Sequence, residues 1–354
     1  MATGHDDTLV AAARDGDESA FAALVERHRR ELRVHCYRML GSYHDAEDLV
    51  QETFLRAWKN IAGFQGRSTI RAWLYRIATN ACLDALEGRT RRMLPHHLGG
   101  PSDPDDDLAP PTDIHWLQPF PDRLWEPAAP SETEPDAVVV TRETIELAFL
   151  AAIQHLPPRQ RAVLILRDVL GWPASQTATL LDGSVASVNS ALQRARATIR
   201  QHLPERRLDW APSAAPSEEE RAVLRRYVDA LERADLATMA GLLAEDVRTT
   251  MPPYPTWFRG RDSVMRALAT SWDPALPGYV GRFRTLPTRA NGRPALAGYL
   301  RGPGDSDHQP CTISLLWFGA GRITEIVAFH DPRLFPAFAL PPALPPALPA
   351  TERW

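Results

Sequence analysis

Residues 44–92 decide the reading of this chain: HDAEDLVQETFLRAWKN (44–60), a glycine-containing turn AGFQGRS (62–68), then TIRAWLYRIATNACLDALEGRTRR (69–92). The first run places Ala46, Leu49, Val50, Thr53, Phe54, Ala57 and Trp58 at i, i+3, i+4, i+7 spacing, which predicts an amphipathic helix. Ser42, with Asp45 three residues on, predicts a capping box at its start. The outward side is acidic: Asp45, Glu47, Asp48 and Glu52. The second run repeats the period with Ile70, Trp73, Leu74, Ile77, Ala78, Ala81 and Ala85. Its exposed side is basic and polar, ending in Arg89, Arg91 and Arg92. Neighbouring helices with opposite charge imply one surface for a basic protein partner and another for nucleic acid.

Working outward, residues 8–92 read as helical throughout. Between 93 and 135 the period vanishes and prolines and aspartates crowd in (PSDPDDDLAPPTD, PFPDRLWEP), with Arg123 the one Lys or Arg from 95 to 135. That composition predicts a linker, whose Trp116, Phe120 and Trp125 give it the means to dock. Helices return at 136–204. AFLAAIQHLPPRQRAVLILRDVLGW carries a Pro157-Pro158 start signal and a Gly171 stop. ASQTATLL follows, then a tight turn at Asp182-Gly183, then SVASVNSALQRARATIRQHL. This is a helix-turn-helix layout with Ser184 as N-cap of the longer helix. Val185, Val188, Leu192 and Ile199 are expected to supply its buried face. Ser187, Asn189, Ser190, Gln193, Arg194 and Arg196 are placed to reach a groove and its phosphates.

The full length of 354 residues with net charge −4 bounds the chain to two or three domains and argues against a free-standing DNA coater. The cysteines Cys36, Cys82 and Cys311 are far apart and lack CxxC spacing, so neither a disulfide frame nor a zinc site is expected. No long apolar run and no signal peptide is read, and the expectation is a cytoplasmic protein with no membrane partner, no metal and no cofactor.

Residues 44–92 resemble conserved region 2 of the extracytoplasmic-function (ECF) sigma factors, promoter-recognition subunits of bacterial RNA polymerase. DAEDLVQETFLRAW is similar to region 2.2, which docks on core polymerase, so the resemblance implies core-polymerase binding by Asp45, Asp48, Gln51 and Glu52. FQGRSTIRAWLYRIATNACLDALEGR is similar to regions 2.3 and 2.4, which melt and read the −10 element. It implies single-stranded −10 contacts from Phe64, Gln65, Arg67, Ser68, Arg71, Tyr75, Arg76, Asn80 and Asp84. The helix-turn-helix resembles region 4, reader of the duplex −35 element. It departs at Gln176 and Thr177, where the family typically has an acidic and an aliphatic residue, and at Ala191, where many members carry a basic one. In the family the linker between the two regions threads through polymerase channels.

Beyond a Pro/Ser/Ala linker (205–216) the chain continues. Helical runs lead to a strand at 247–251 and a helix near 262–271, then strand-like runs at 279–286, 295–301, 311–318 and 323–330, with turns at 291–292 and 319–321. This predicts an α+β domain over 217–331. RADLATMAGLLAEDVRTTMPP and WFRGRDSV resemble SnoaL-like domains of the NTF2 superfamily, cones with an apolar cavity. Tyr254, Trp257, Phe258, Trp272 and His330 are the candidate pocket residues for an unknown small ligand. Asp246, His330 and Asp331 are the candidate bases if that cone were a cyclase or isomerase, but no nucleophile–base or metal-ligand spacing is visible, and no enzyme activity is expected. The tail, 332–354, is proline-rich and reads as extended.

The expected architecture is therefore multidomain. A helical region 2 bundle (1–92), an acidic linker (93–135) and a helix-turn-helix region 4 (136–204) precede the NTF2-like regulatory cone. Three readings compete, and the DNA-facing modules argue against one of them, the cyclase- or isomerase-type enzyme with accessory domains. Of the remaining two, one is an alternative sigma factor regulated by its own C-terminal domain. The other is a one-component helix-turn-helix regulator with a ligand-binding cone, in which the acidic helix and the base-capture loop have no purpose.

Overall fold

The computed structural model describes residues 2–106, 109–112, 114–125, 144–202 and 217–346. The chain forms two compact units, Met1–Arg92 with Leu124–Asp209, and Met93–Arg123 with Trp210–Trp354. The linker expected at 205–216, the first residues of the region 4 module and the end of the tail lie outside the described residues.

The first unit is helical: α1 (Ala2–Arg14), α2 (Glu18–Leu40), α3 (Tyr43–Asn60), α4 (Ile70–Leu86), α5 (Leu147–Ile153), α6 (Pro158–Leu164), α7 (Ala174–Leu180) and α8 (Val185–His202). Each start has a local cause. Asp17 accepts from the Ser19 and Ala20 amides at α2, Ser42 from the Asp45 amide (3.2 Å) at α3, and Thr69 from the Ala72 amide (3.2 Å) at α4. The return half of the box at Ser42 is missing, because the Asp45 carboxylate accepts from Arg89 (3.1 Å) and Arg92 instead. Leu24, Leu32, Cys36, Tyr37 and Leu40 of α2 are buried with Ala46, Val50, Thr53, Phe54 and Ala57 of α3. Helix α4 is rotated from the expected stripe. Ile70, Leu74, Tyr75, Ala78, Ala81 and Cys82 are buried, while Trp73, Ile77 and Ala85 are only half-buried.

The two helical modules pack together inside this unit. Arg161 of α6, 3% exposed, is an internal connector. It donates to the carbonyl of Met39 on α2, to those of Ile153 (3.0 Å), Gln154 (3.2 Å) and Leu156 (3.3 Å), and to Gln154 Oε1 (2.9 Å). Burial pulls its pKa down to about 10. Arg38 of α2 reaches Thr144 Oγ1 at 2.7 Å.

The second unit has α9 (Glu218–Arg233), α10 (Leu236–Leu242), β1 (Leu243–Thr250), β2 (Trp257–Arg259), α11 (Arg261–Trp272), β3 (Arg282–Ala290), β4 (Arg293–Arg301), β5 (Gln309–Gly319) and β6 (Arg322–Phe329). They form one mixed six-stranded sheet in the order β2-β1-β6-β5-β4-β3, where only β1 and β6 run parallel. Because successive side chains point to opposite faces, Phe258, Leu296, Leu316 and Ile326 face inward and build a core with Leu224, Tyr227, Met239 and Trp272 from the helices.

The other face, with Ala295, Ala297, Tyr299, Ile313, Leu315, Val327 and Phe329, is also fully buried. Part of its cover is the start of the tail, a 3₁₀ helix at Pro332–Phe338, where Phe335 meets Tyr299 edge-on at 5.0 Å. The tail then pairs Leu344 with His308 in both backbone directions (2.8 and 2.9 Å). The described part of the proline-rich tail is thus packed structure of this unit.

Met93–Arg123, the segment whose composition reads as a linker, belongs to the same unit and is attached at both edges of the sheet. At the β2 edge the Ser102 amide donates to Trp257 O (2.8 Å) and the Trp257 indole to Gly99 O (3.1 Å). The Thr112 amide donates to Pro253 O (3.3 Å). At the opposite edge the Phe120 amide donates to Asn291 Oδ1 (2.9 Å), and buried Asp122 accepts from the Gly292 amide (2.8 Å) and from Arg289 (3.1 Å). Trp116, Leu117 and Phe120 are buried along the way. A Pro/Asp-rich composition excludes regular elements, but the aromatic residues supply enough apolar area for docking.

Candidate nucleic-acid and partner interfaces

On α3 the acidic face is partly spent internally. Asp45 is held by Arg89 and Arg92, Glu47 by Arg33, and Glu52 by Arg56 (2.7 Å). Asp48 and Gln51 remain exposed. Leu55, one turn on from Gln51, is 56% exposed and continues the same row, an exposed apolar side chain absent from the expected set. Its signal was a leucine outside the apolar stripe.

The candidate −10 residues divide into two groups. Gln65, Arg67 and Ser68 are exposed on the turn before α4. Phe64 is buried against Trp73 (5.2 Å) and anchors that turn, so it offers no free face to a base. Asp84 is exposed and 3.6 Å from Arg56, and Asn80 is half-buried. Arg71, Tyr75 and Arg76 lie against the helix-turn-helix module instead. Arg71 pairs with Glu31 (2.7 Å) and lies over the rings of Tyr75 (5.2 Å) and Trp172 (5.8 Å). Tyr75 is 1% exposed, packs on Trp172 (5.1 Å) and His35 (4.9 Å), and donates to Glu31 (3.3 Å). Arg76 pairs with Asp182 (2.8 Å). Beside them is a cleft of about 740 Å³ lined by Arg27, Arg30, Arg71, Tyr75, Trp125 and Leu170, among others. Arg27, Arg30 and Trp125 enter it from distant parts of the sequence.

In the helix-turn-helix, Gly171 (φ 68°) ends one helical run and Asp182 (φ 50°) makes the turn. Ser184 Oγ accepts from the Ser187 amide (3.1 Å), while Ser187 Oγ donates to Ser184 O (2.7 Å) and accepts from the Ser184 amide (3.2 Å). The Ser187 hydroxyl therefore belongs to the cap. Val188, Leu192, Ala195 and Ile199 face the core, but Val185 does not: it is 43% exposed, because the module ends before it. Asn189, Ser190, Gln193 and Arg194 form an exposed polar row. Arg196 is held by Asp168 through two bonds (2.8 and 2.7 Å), which commits its guanidinium to the module itself.

The candidate cone residues do not converge. Phe258 and Trp272 are core, whereas Trp257, next to Phe258 on β2, points to the other face and bonds to Met93–Arg123. Tyr254 meets His330 edge-on (5.3 Å), and burial lowers the His330 pKa to about 4. Asp246 is exposed, and Asp331 caps and pairs with Arg333 (2.8 Å), so the candidate bases do not share one site. Among the described residues no group of three or more His, Cys, Asp or Glu is arranged for a metal. No helix among them is long and apolar enough to cross a membrane.

A helical module with an exposed acidic and polar face, a helix-turn-helix with a polar row on its second helix, and an NTF2-like α+β unit define a modular DNA-binding transcription protein. Residues 24–92 match Sigma-70 region 2, residues 146–199 match Sigma-70, region 4, and residues 224–326 match the SnoaL-like domain. The chain is 46% identical over 349 residues to the ECF RNA polymerase sigma factor SigG of Mycobacterium tuberculosis, covering 96% of this chain and 90% of that one. To SigW of Bacillus subtilis it is 29% identical over 190 residues, covering 54% and 92%. In fold it is similar to the crystal structure of the M. tuberculosis ECF sigma factor SigJ, with TM-score 0.55 and 24% identity, covering 90% of this chain and 100% of that one. The chain belongs to the ECF sigma factors, the alternative, promoter-recognising subunits of RNA polymerase.

Proposed function

We propose that Asp48, Gln51 and Leu55 present the face that docks on core polymerase. The turn at Gln65, Arg67 and Ser68, with Arg71 and Arg76, captures the opened −10 strand, and Asn189, Ser190, Gln193 and Arg194 read the duplex −35 element. Opening costs about 1–2 kcal/mol per base-pair step, which stacking and edge contacts to extruded bases offset in part. The observation that carries this reading is the exposed polar row on α8, set behind a capped turn and packed in one unit with α2–α4.

The same unit implies a closed state. Promoter elements about 25 base pairs apart are separated by about 85 Å along B-form DNA. Asp182 of the helix-turn-helix module is 2.8 Å from Arg76 of α4. Reading both elements at once requires the modules to part and Arg71, Tyr75 and Arg76 to leave Trp172 and Asp182. The C-terminal unit regulates this step by holding Met93–Arg123, the stretch between the two sigma regions, on its sheet.

The test is in vitro transcription by bacterial core polymerase with the full chain and a genomic fragment library as template. Initiation from defined start sites is the expected result. A protein that shifts duplex DNA alone yet supports no initiation would be a one-component regulator instead.

A further inference from the structure

We propose that Val185 is a specificity-determining residue of the helix-turn-helix, reading the 5-methyl group of a thymine in the promoter element that α8 enters. The inference rests on the region 4 reading above and adds a base-level contact to it. Two observations carry it. First, Val185 is the first residue of α8, an 18-residue helix, and it is 43% exposed although Val188, Leu192 and Ile199 of the same helix are 2%, 6% and 9% exposed. Second, the two serines that flank this residue are tied into the cap. Ser184 and Ser187 bond to each other's backbone at 3.1, 3.2 and 2.7 Å.

The leading turn of the helix therefore presents the methyl groups of Val185 and the exposed Ala186, between two serines whose hydroxyls are engaged in the cap. A recognition helix meets base edges with its N-terminal residues, and in the major groove the one apolar base feature is the thymine methyl. A valine held in water gains by covering that methyl. A cytosine or guanine edge would instead leave a donor or acceptor against hydrocarbon without a partner. Val185 thus favours thymine by attraction and disfavours the alternatives by desolvation.

The experiment uses the full chain with core polymerase and a promoter fragment recovered from the genomic library. Each thymine upstream of the start site is replaced in turn by deoxyuridine, which removes only the methyl group. At one position in the −35 element, wild-type complex formation is expected to weaken about fourfold, the equivalent of one methyl returned to water. With Val185→Ala the same substitution is expected to have no effect. Val185 is exposed, so this variant folds, and its far-ultraviolet circular dichroism checks that. Wild-type binding that is indifferent to every substitution, or a −35 element without thymine, overturns the proposal. So does a Val185→Ala protein that keeps the wild-type sensitivity. If the wild type forms no promoter complex at all, the sigma reading itself fails and this inference with it.

Discussion

Asp48 and Asp45 lie one helical turn apart on α3 and carry the same charge, yet they call for different experiments. Asp45 is tied to Arg89 and Arg92, whereas Asp48 is exposed. Asp48→Arg is expected to lower affinity for core polymerase by tenfold or more, while stability stays within about 0.5 kcal/mol. Titration against labelled core polymerase, with a denaturant curve alongside, checks both; unchanged affinity would remove Asp48 from the interface. His35 gives a prediction of another kind. It is fully buried beside Thr79 (2.9 Å), and burial, reinforced by Arg38 and opposed by Glu31, lowers its pKa from the ordinary 6.5 to about 3. The folded state thus refuses a proton that the unfolded chain accepts. Stability is complete above about pH 6.5 and falls as pH drops toward 3, by about 2 kcal/mol at pH 5. Wild type should lose about that much more than His35→Gln between pH 7.5 and 5 in denaturant unfolding, and parallel losses would contradict the assignment. Exposure and partners of this kind were not legible in the sequence. The polar row on α8 follows from its 3.6-residue period, but nothing local says that Arg196 is held by Asp168, 28 positions earlier, while Arg194 is exposed.

Helix by helix, more was legible, because starts and stops are local chemistry. Ser42, Ser184, Pro157-Pro158, Gly171 and the Asp182-Gly183 turn all act where the sequence places them. What a helix buries on its second side depends on its neighbours. The stripe of α4 was expected through Trp73 and Ile77, and it runs instead through Tyr75, because Trp172 of the helix-turn-helix module covers that side. Arg161 shows the same dependence: nothing local in LPPRQRAV marks it as buried, yet it is the internal connector to α2. Arg161→Met would leave several carbonyls unpaired in the interior, at about 2–4 kcal/mol of stability for the first unit. Arg161→Lys should recover little, since an ammonium cannot replace the five-donor fork. Urea unfolding of both variants measures this, and a methionine variant as stable as wild type would show that the connector is dispensable.

At the scale of the whole molecule, the chain leaves the first unit at Arg92, crosses the sheet of the second unit and returns at Leu124. Composition alone reads this stretch as a tether, because prolines and aspartates mark the absence of helices and strands and say nothing of docking. Its aromatic residues were the visible hint, and Asp122 is its buried charged attachment. That carboxylate is 2% exposed, accepts from the Gly292 amide and pairs with Arg289 across the β3–β4 turn. Asp122→Ala removes the acceptor of the Gly292 amide and the carboxylate that pairs with Arg289, so the attachment should weaken by about 2 kcal/mol, roughly a thirtyfold rise in the detached population. Hydrogen exchange at the Phe120 and Asn291 amides, which bond across this junction, should then speed up, with exchange of the inner strands β5 and β6 unchanged. If holding this segment restrains the sigma modules, the same variant will reach half-maximal transcription at a lower concentration than wild type. Faster exchange with unaltered transcription would separate the attachment from regulation. Unaltered exchange would mean that the buried Trp116, Leu117 and Phe120 and the remaining hydrogen bonds hold the segment in place without Asp122.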